Sequence, residues 1–372
     1  MKHSISTINS NQTTVRKFFD IKEIEVSALH HLSSDVYDFF SGGAGDEDTL
    51  HQNIVSFDKI KVLPRVLRNV ESRSLATTVL GNEIAFPLLI APMAFQKLAH
   101  PDGEIAVAKG AHEANVLMTL STLSTSSFEQ VKCVGQMPIW FQLYIYKDRE
   151  ITKNLIQQAE QCGFNGLVLT VDAPLYGKRK REIVNPLRLT KQIQLDNLQK
   201  AGLDLNAIDL PQLAPYLASL LDPSITWKDI EWIRSISSLP IILKGVMNPR
   251  DVEIAHGYNI DALIISNHGG RQFDSALSAI EALLAISEVN AGKAELILDG
   301  GIRRGSDILK AIALGAKAVM VGRPILWGLA AGGVEGVTRV LSILKSELDM
   351  AMALCGCKSI EEVNKDILFL KK

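Results

Sequence analysis

From Phe86 onward the chain alternates between two patterns of apolar and polar positions. Short, nearly continuous apolar runs occupy 86–92, 117–122, 138–144, 166–172, 240–246, 262–267, 294–301 and 318–324. Such runs predict strands buried on both faces, because a strand with one face in water would alternate. Between most of them lie stretches such as DGEIAVAKGAHEAN (102–115) and DREITKNLIQQAEQCG (148–163). Each opens on Asp, whose carboxylate accepts the free N–H groups of a first helical turn, and carries apolar residues at helical spacing. Strands and helices alternating through eight repeats predict a closed parallel (β/α)8 TIM barrel over 86–345.

Two segments fall outside this rhythm. Residues 1–70 predict a helical N-terminal extension, with IKEIEVSALHHLSSDVYDFFSGGAG (21–45) as a helix pair closed by glycines. Residues 178–225, rich in Leu, Gln and Asp, replace the short connection expected after the fourth strand. Long connections are often binding loops, and one after a strand end lies at the barrel's C-terminal face, so this insertion is expected to act as a lid. The whole chain, 1–372, is expected to form a single domain.

Active sites of such barrels are built at the C-terminal strand ends, and here those ends collect polar and special residues. The first gives Pro92, Met93 and Ala94, the second Ser121, Thr122 and Leu123, and the third Gln142 and Tyr144. The fourth gives Thr170 and Asp172, the fifth Lys244, and the sixth Ser266, Asn267, His268 and Arg271. The seventh gives Asp299, Gly300, Gly301 and Arg303, and the eighth Gly322 and Arg323. Gathering so many polar groups on one rim is costly without a ligand to pair them.

Alone, Gly300–Gly301 reads as a tight turn. Beside Gly322–Arg323 on the neighbouring strand it reads as a phosphate site: glycine lets backbone N–H groups approach, and arginine offers a planar fork of donors. A lone histidine is more often structural than catalytic. His268, at a strand end with Asp172 within reach of the same rim, has what a general base requires. Arg271 and Arg179 can together clamp a carboxylate, although Arg179 in GKRKRE would by itself read as part of a solvated basic loop. Lys244, on a barrel strand, is either paired with an anion or serves as a buried positive charge.

Composition narrows the classes. Apolar residues make up 47% of the chain, enough for a large core, and the net charge of -2 gives no basic surface for nucleic acid or an anionic membrane. Cys133, Cys162, Cys355 and Cys357 lack paired metal-ligand spacing, and the isolated C-x-C predicts free thiols in a reducing compartment, with no metal. The polar N-terminus and the absence of a long apolar run predict a soluble, cytoplasmic protein.

The motifs SNHGGRQFD, LDGGIRRGSD, FQLYIYKD, LTVDAP, LKGV and VGRP, in this order from about residue 20 to 365, resemble the FMN-dependent L-2-hydroxy-acid oxidases and dehydrogenases. That group includes glycolate oxidase, lactate oxidase and mandelate dehydrogenase. The set is specific jointly; no single motif is. The resemblance implies that His268 takes the hydroxyl proton of a 2-hydroxy acid while hydride, or its equivalent, passes to the flavin. It implies that Asp172 steadies His268, Arg271 and Arg179 bind the carboxylate, and Tyr144 bonds the substrate oxygen. Lys244 would lie near flavin N1. Gln142, Thr170, Ser121 and the backbone at Pro92, Met93 and Ala94 would hold the isoalloxazine. Asp299 and Ser266 would lie along it, with Gly300, Gly301, Arg303, Gly322 and Arg323 towards its phosphate. A homotetramer is also implied.

The chain departs from the family at Phe39, where a tyrosine usually donates to the substrate carboxylate; Tyr37, two residues earlier, falls on another helix face. The lost hydrogen bond, worth about 0.5–1.5 kcal/mol, weakens carboxylate binding without abolishing it. Leu123 stands where glycolate oxidase carries tryptophan. With Phe39, Leu123 and Tyr176 around the pocket, a medium-chain, branched or aryl 2-hydroxy acid is expected in preference to glycolate. The lack of a preceding haem domain, and Ala94 near flavin N5, point to O2 as acceptor. The alternatives are the same chemistry with another acceptor, an FMN barrel such as the type 2 isopentenyl diphosphate isomerase, and a flavin protein without catalysis.

Overall fold

The computed structural model describes residues 18–189, 193–205 and 213–370. Eight parallel strands close a barrel in sequence order: β1 (Leu88–Ile90), β2 (Leu117–Leu120), β3 (Ile139–Leu143), β4 (Leu167–Thr170), β5 (Ile241–Val246), β6 (Ala262–Ile265), β7 (Glu295–Asp299) and β8 (Ala318–Val321). The strands are shorter than the apolar runs that predicted them. Gln142, Thr170, Lys244 and Asp299 sit on the last positions of their strands, while Ser121, Asp172, His268 and Arg303 lie in the loops that follow.

The two faces of the barrel wall build two cores. Inward-facing Leu89, Leu117, Trp140, Val168, Ile242, Ile264, Ile297 and Met320 fill the lumen. Val79 and Ile84 join them from a hairpin pairing Thr77–Val79 with Asn82–Ile84. Outward-facing residues pack under the surrounding helices, the last of which, Arg323–Leu354, is kinked at Gly332–Gly333. That helix runs beyond the expected end of the barrel at 345. Among the described residues, no helix is long and apolar enough to cross a membrane.

The extension holds three described helices: α1 (Ile21–His31), α2 (Ser34–Ser41) and α3 (Asp48–Lys59). The first two match the expected pair; the third was not anticipated, and residues 1–17 lie outside the described residues. Asp274, in the loop after β6, accepts from the N–H groups of Asp46 and Thr49, both at 2.8 Å, and so caps α3 from a distant part of the chain. The insertion carries three short described helices, Lys180–Val184, Asp196–Lys200 and Leu213–Ser219, while 190–192 and 206–212 lie outside the described residues.

Candidate active site

A cavity of about 1450 Å³, counting its opening, occupies the C-terminal mouth of the barrel. Pro92, Met93 and Ala94 line it from the end of β1, Ser121 and Leu123 from β2, and Gln142 and Tyr144 from β3. The Gln142 amide is fixed on both sides. Its Oε1 accepts from the Thr122 N–H at 3.2 Å, and its Nε2 donates to Thr170 Oγ1 at 3.0 Å. Ser121 Oγ donates to the same Oε1 at 3.4 Å. Side chains from three consecutive strands thus form one continuous row of hydrogen-bonding groups along the wall.

Next in the wall is a buried cation. Lys244 Nζ lies 2.8 Å from Asp299 Oδ2 and 3.1 Å from Ser266 Oγ. Burial alone would push this ammonium down; the Asp299 and Asp172 carboxylates outweigh it and hold the group charged. Ser266 is fully buried and does not line the cavity. Its hydroxyl donates to Asp299 at 2.8 Å and accepts from the His268 N–H at 3.0 Å. It thus ties Lys244, Asp299 and the His268 backbone together behind the wall.

His268 stands at φ +59°, followed by Gly269 and Gly270 at +65° and +74°. Left-handed backbone is costly for a side-chain-bearing residue, by roughly 1–2 kcal/mol. Here it turns the imidazole into the cavity, with Nδ1 2.9 Å from Asp172 Oδ1. Burial raises the Asp172 carboxyl, but the His268 and Lys244 charges overcome this and hold it below the usual range. An ionised carboxylate only accepts, so Nδ1 carries the proton and Nε2 is left with a lone pair facing the cavity. Burial pushes the imidazole down, opposed by Asp172, which keeps Nε2 unprotonated near neutral pH. Asp172 itself lies behind the cavity wall and acts through His268. Gly245, at φ +108° in a bulge of β5, leaves space for it: a Cβ there would lie 2.5 Å from the Asp172 side chain.

Arg179 and Arg271 both reach the cavity, as expected of a clamp. Arg271 donates to the carbonyls of Phe39 at 2.6 Å and Gly42 at 3.1 Å, and its guanidinium lies 5.2 Å from the centre of the Phe39 ring. Arg179 stacks 4.1 Å over the Tyr176 ring and donates to the Tyr176 hydroxyl. Burial and the neighbouring Arg179 charge push the Arg271 guanidinium down to about 10. A residue missed in the sequence, Glu182, partly neutralises this pair, 2.9 Å from Arg179 and 3.4 Å from Arg271. Its place in a basic run hid it; its spacing of three from Arg179 on a helical turn is the signal that could have found it. Phe39 lines the cavity and Tyr37 does not, in line with their different helix faces.

At the opposite end Gly300, Gly301 and Gly322 present bare backbone with Arg303 and Arg323 beside them. Gly301 has φ +81°, and a Cβ on it would lie 1.8 Å from the Asn53 carbonyl oxygen. Only glycine fits between α3 and this turn. Burial and mutual repulsion push the Arg323 guanidinium well down, and burial lowers Arg303, opposed by the Glu25 and Asp307 carboxylates. Arg323 spends three donors on carbonyls of Phe40, Gly42 and Gly269, so it serves this end chiefly as a charge while locking α2 in place. A concentration of buried positive charge beside bare glycine backbone calls for an anion. With the hydrogen-bonding row and Lys244 along one wall, the residues present fit a flavin mononucleotide, phosphate at this end and ring along the row.

The remaining wall is apolar. Leu123 and Leu175 face Ala214, Leu217, Ala218 and Leu221 from the insertion, whose described parts thus line the cavity. Tyr146, also missed in the sequence, lies in this wall. Its spacing of two from Tyr144 was the available signal, since alternate residues of extended chain face the same way.

A model of the FMN-dependent dehydrogenase family matches residues 28–370. The chain is 47% identical over 364 residues to an L-lactate oxidase from Nostoc sp., covering 96% of this chain and 100% of that one. It is 44% identical over 371 residues to a 2-hydroxyacid oxidase from Dictyostelium discoideum, covering 98% and 95%. Among solved structures it is similar to a mandelate oxidase crystallised with (S)-4-hydroxymandelic acid, at 37% identity and a TM-score of 0.89, covering 95% of this chain and 98% of that one.

Proposed function

Because the chain belongs to the FMN-dependent dehydrogenase family and carries out FMN-dependent 2-hydroxy-acid oxidation, we propose that it oxidises an L-2-hydroxy acid with a medium-chain, branched or aryl side chain and passes the electrons to O2, yielding the 2-oxo acid and H2O2. FMN, when bound, supplies the two-electron acceptor at the cavity wall. The protein's own groups do the rest. Arg179 and Arg271 hold the carboxylate, which fixes the orientation of the carbon bearing the hydroxyl. His268 Nε2 takes the hydroxyl proton. Asp172, hydrogen-bonded to Nδ1 at 2.9 Å, stabilises the imidazolium that forms. Tyr144, whose phenol burial pushes well above its ordinary value, stays protonated and donates to the substrate oxygen. Lys244 places a fixed positive charge beside the cofactor.

The observation that carries this reading is the pairing, across one cavity, of a carboxylate-oriented imidazole with two arginines. The apolar wall around Leu123 supports the larger side chain. The oxidase names of the relatives, and Ala94 in the cavity, support oxygen as acceptor. The family likeness also supports a homotetramer. Anaerobic mixing of the holoenzyme with a panel of 2-hydroxy acids tests the chemistry: the yellow flavin bleaches fastest with branched or aryl acids. Bleaching fastest with glycolate would overturn the substrate assignment, and bleaching by none would overturn the reaction. The same mixing in air yields peroxide; turnover only with an added dye would replace O2 as acceptor.

A further inference from the structure

Behind the two arginines of the clamp stands one carboxylate. Glu182 does not line the cavity, whereas Arg179, Arg271 and Tyr176 do. Its Oε1 accepts from Arg179 Nη1 at 2.9 Å and lies 3.4 Å from Arg271 Nη2. Its Oε2 accepts from the Tyr176 hydroxyl at 2.8 Å, so both oxygens are held. The side chains of Arg179, Arg271 and Glu182 are 4%, 15% and 16% exposed, which leaves little water to screen their charges from one another.

The surrounding charges are already spoken for. Lys180 and Arg181, the other cations of this basic helix, pair with Asp46 and with Glu47. Glu182, three residues after Arg179, turns back to the clamp instead. The remaining partners of the two arginines are neutral: Arg271 donates to the carbonyls of Phe39 and Gly42, and Arg179 to that of Arg271. Lys244 is balanced by Asp299, and Arg303 and Arg323 stand at the glycine end. Asp172, behind His268, adds a further acid on this side and no cation. Two guanidiniums and one carboxylate thus leave a single uncompensated positive charge in the clamp.

We propose that Glu182 is a positioning and selectivity residue: it holds the two guanidiniums as a pair and limits the clamp to one negative charge, so that the enzyme takes 2-hydroxy monocarboxylates and turns away dianionic acids. This rests on the 2-hydroxy-acid reading above, which gives the clamp a substrate carboxylate to hold. The first carboxylate meets the uncompensated charge. A second one gives up its hydration and finds no cation left to repay it. Without Glu182 the second arginine would be free to do so.

The test compares L-malate, which carries two negative charges, with its 4-amide, which has nearly the same shape and carries one. Both are measured on the holoenzyme as competitors of whichever 2-hydroxy acid bleaches the flavin fastest, so neither need be turned over itself. The wild type is expected to bind the amide about tenfold or more tightly than malate, the effect of one unit charge several ångströms away at a protein-like dielectric. In Glu182→Gln that preference collapses towards one, while Glu182→Asp, which keeps the charge, retains it. A merely structural Glu182 would weaken both competitors alike and leave their ratio unmoved. An amide that competes no better than malate in the wild type overturns the proposal without any variant, and so does a preference that survives in Glu182→Gln. If no 2-hydroxy acid bleaches the flavin, the reading above falls first; if one does and the ratio stays fixed, only this proposal falls.

Discussion

His268 concentrates the residue-scale argument. Only its neutral form can accept a proton, so activity is full above its folded pKa and is lost as pH falls through it. Burial holds that pKa below the ordinary value of about 6.5. The acid limb of a kcat/KM–pH profile is therefore expected below 6.5; a limb at or above it would show that another group titrates. Asp172→Asn removes the carboxylate that fixes the tautomer and is expected to lower kcat by about 10²–10⁴-fold, with little change in KM. Phe39 allows a gain rather than a loss. Phe39→Tyr puts a donor back beside the arginine pair and should lower KM roughly two- to tenfold, the equivalent of about 0.5–1.5 kcal/mol. An unchanged KM would mean that the ring edge does not reach the carboxylate.

At the scale of elements, the loop after β6 is the joint between barrel and extension. Asn53 on α3 and Asn267 exchange two hydrogen bonds of 2.8 Å, and Asn53 Oδ1 also accepts from the Ala279 N–H at 3.1 Å. Asn53→Ala leaves the buried Asn267 amide and the Ala279 N–H short of partners. It is expected to cost about 1–3 kcal/mol in urea unfolding; a change within about 0.5 kcal/mol would mean that water replaces the pair. This joint was not legible in the sequence. SNHGGRQFD announces a base and an anchor, but nothing local says that Asn267 and Asp274 grip a helix more than 200 residues earlier. The barrel was legible because each buried strand writes its own continuous apolar run. Glu182 was not, because its local run is basic and its partners are set by a turn. Nor does a strand end tell which side each residue takes: Ser266 is fully buried and bonded to Lys244, Asp299 and the His268 N–H.

For the whole molecule, charge is the organising quantity. Arg179, Arg271, Arg303 and Arg323 converge on one cavity, and their mutual repulsion opposes folding until an anion arrives. Apoprotein is therefore expected to melt at a temperature that climbs with FMN concentration; a hundredfold excess over Kd adds about 2.7 kcal/mol. Riboflavin, with the same ring and no phosphate, should raise the melting temperature much less. Equal shifts from the two would remove the phosphate assignment of the Gly300–Arg323 end.

The carbonyls at the end of α2 have a consequence for how the protein is made. They come from residues 39–42, and the arginines that satisfy them are Arg271 and Arg323, up to 283 positions later. During synthesis those carbonyls leave the ribosome long before their partners exist. Contacts of such separation form late and slowly. A chain interrupted before residue 271 has neither arginine of the lock on α2 and neither arginine of the phosphate end. The lock on α2 and the phosphate end are thus completed together, by the last part of the chain to be made.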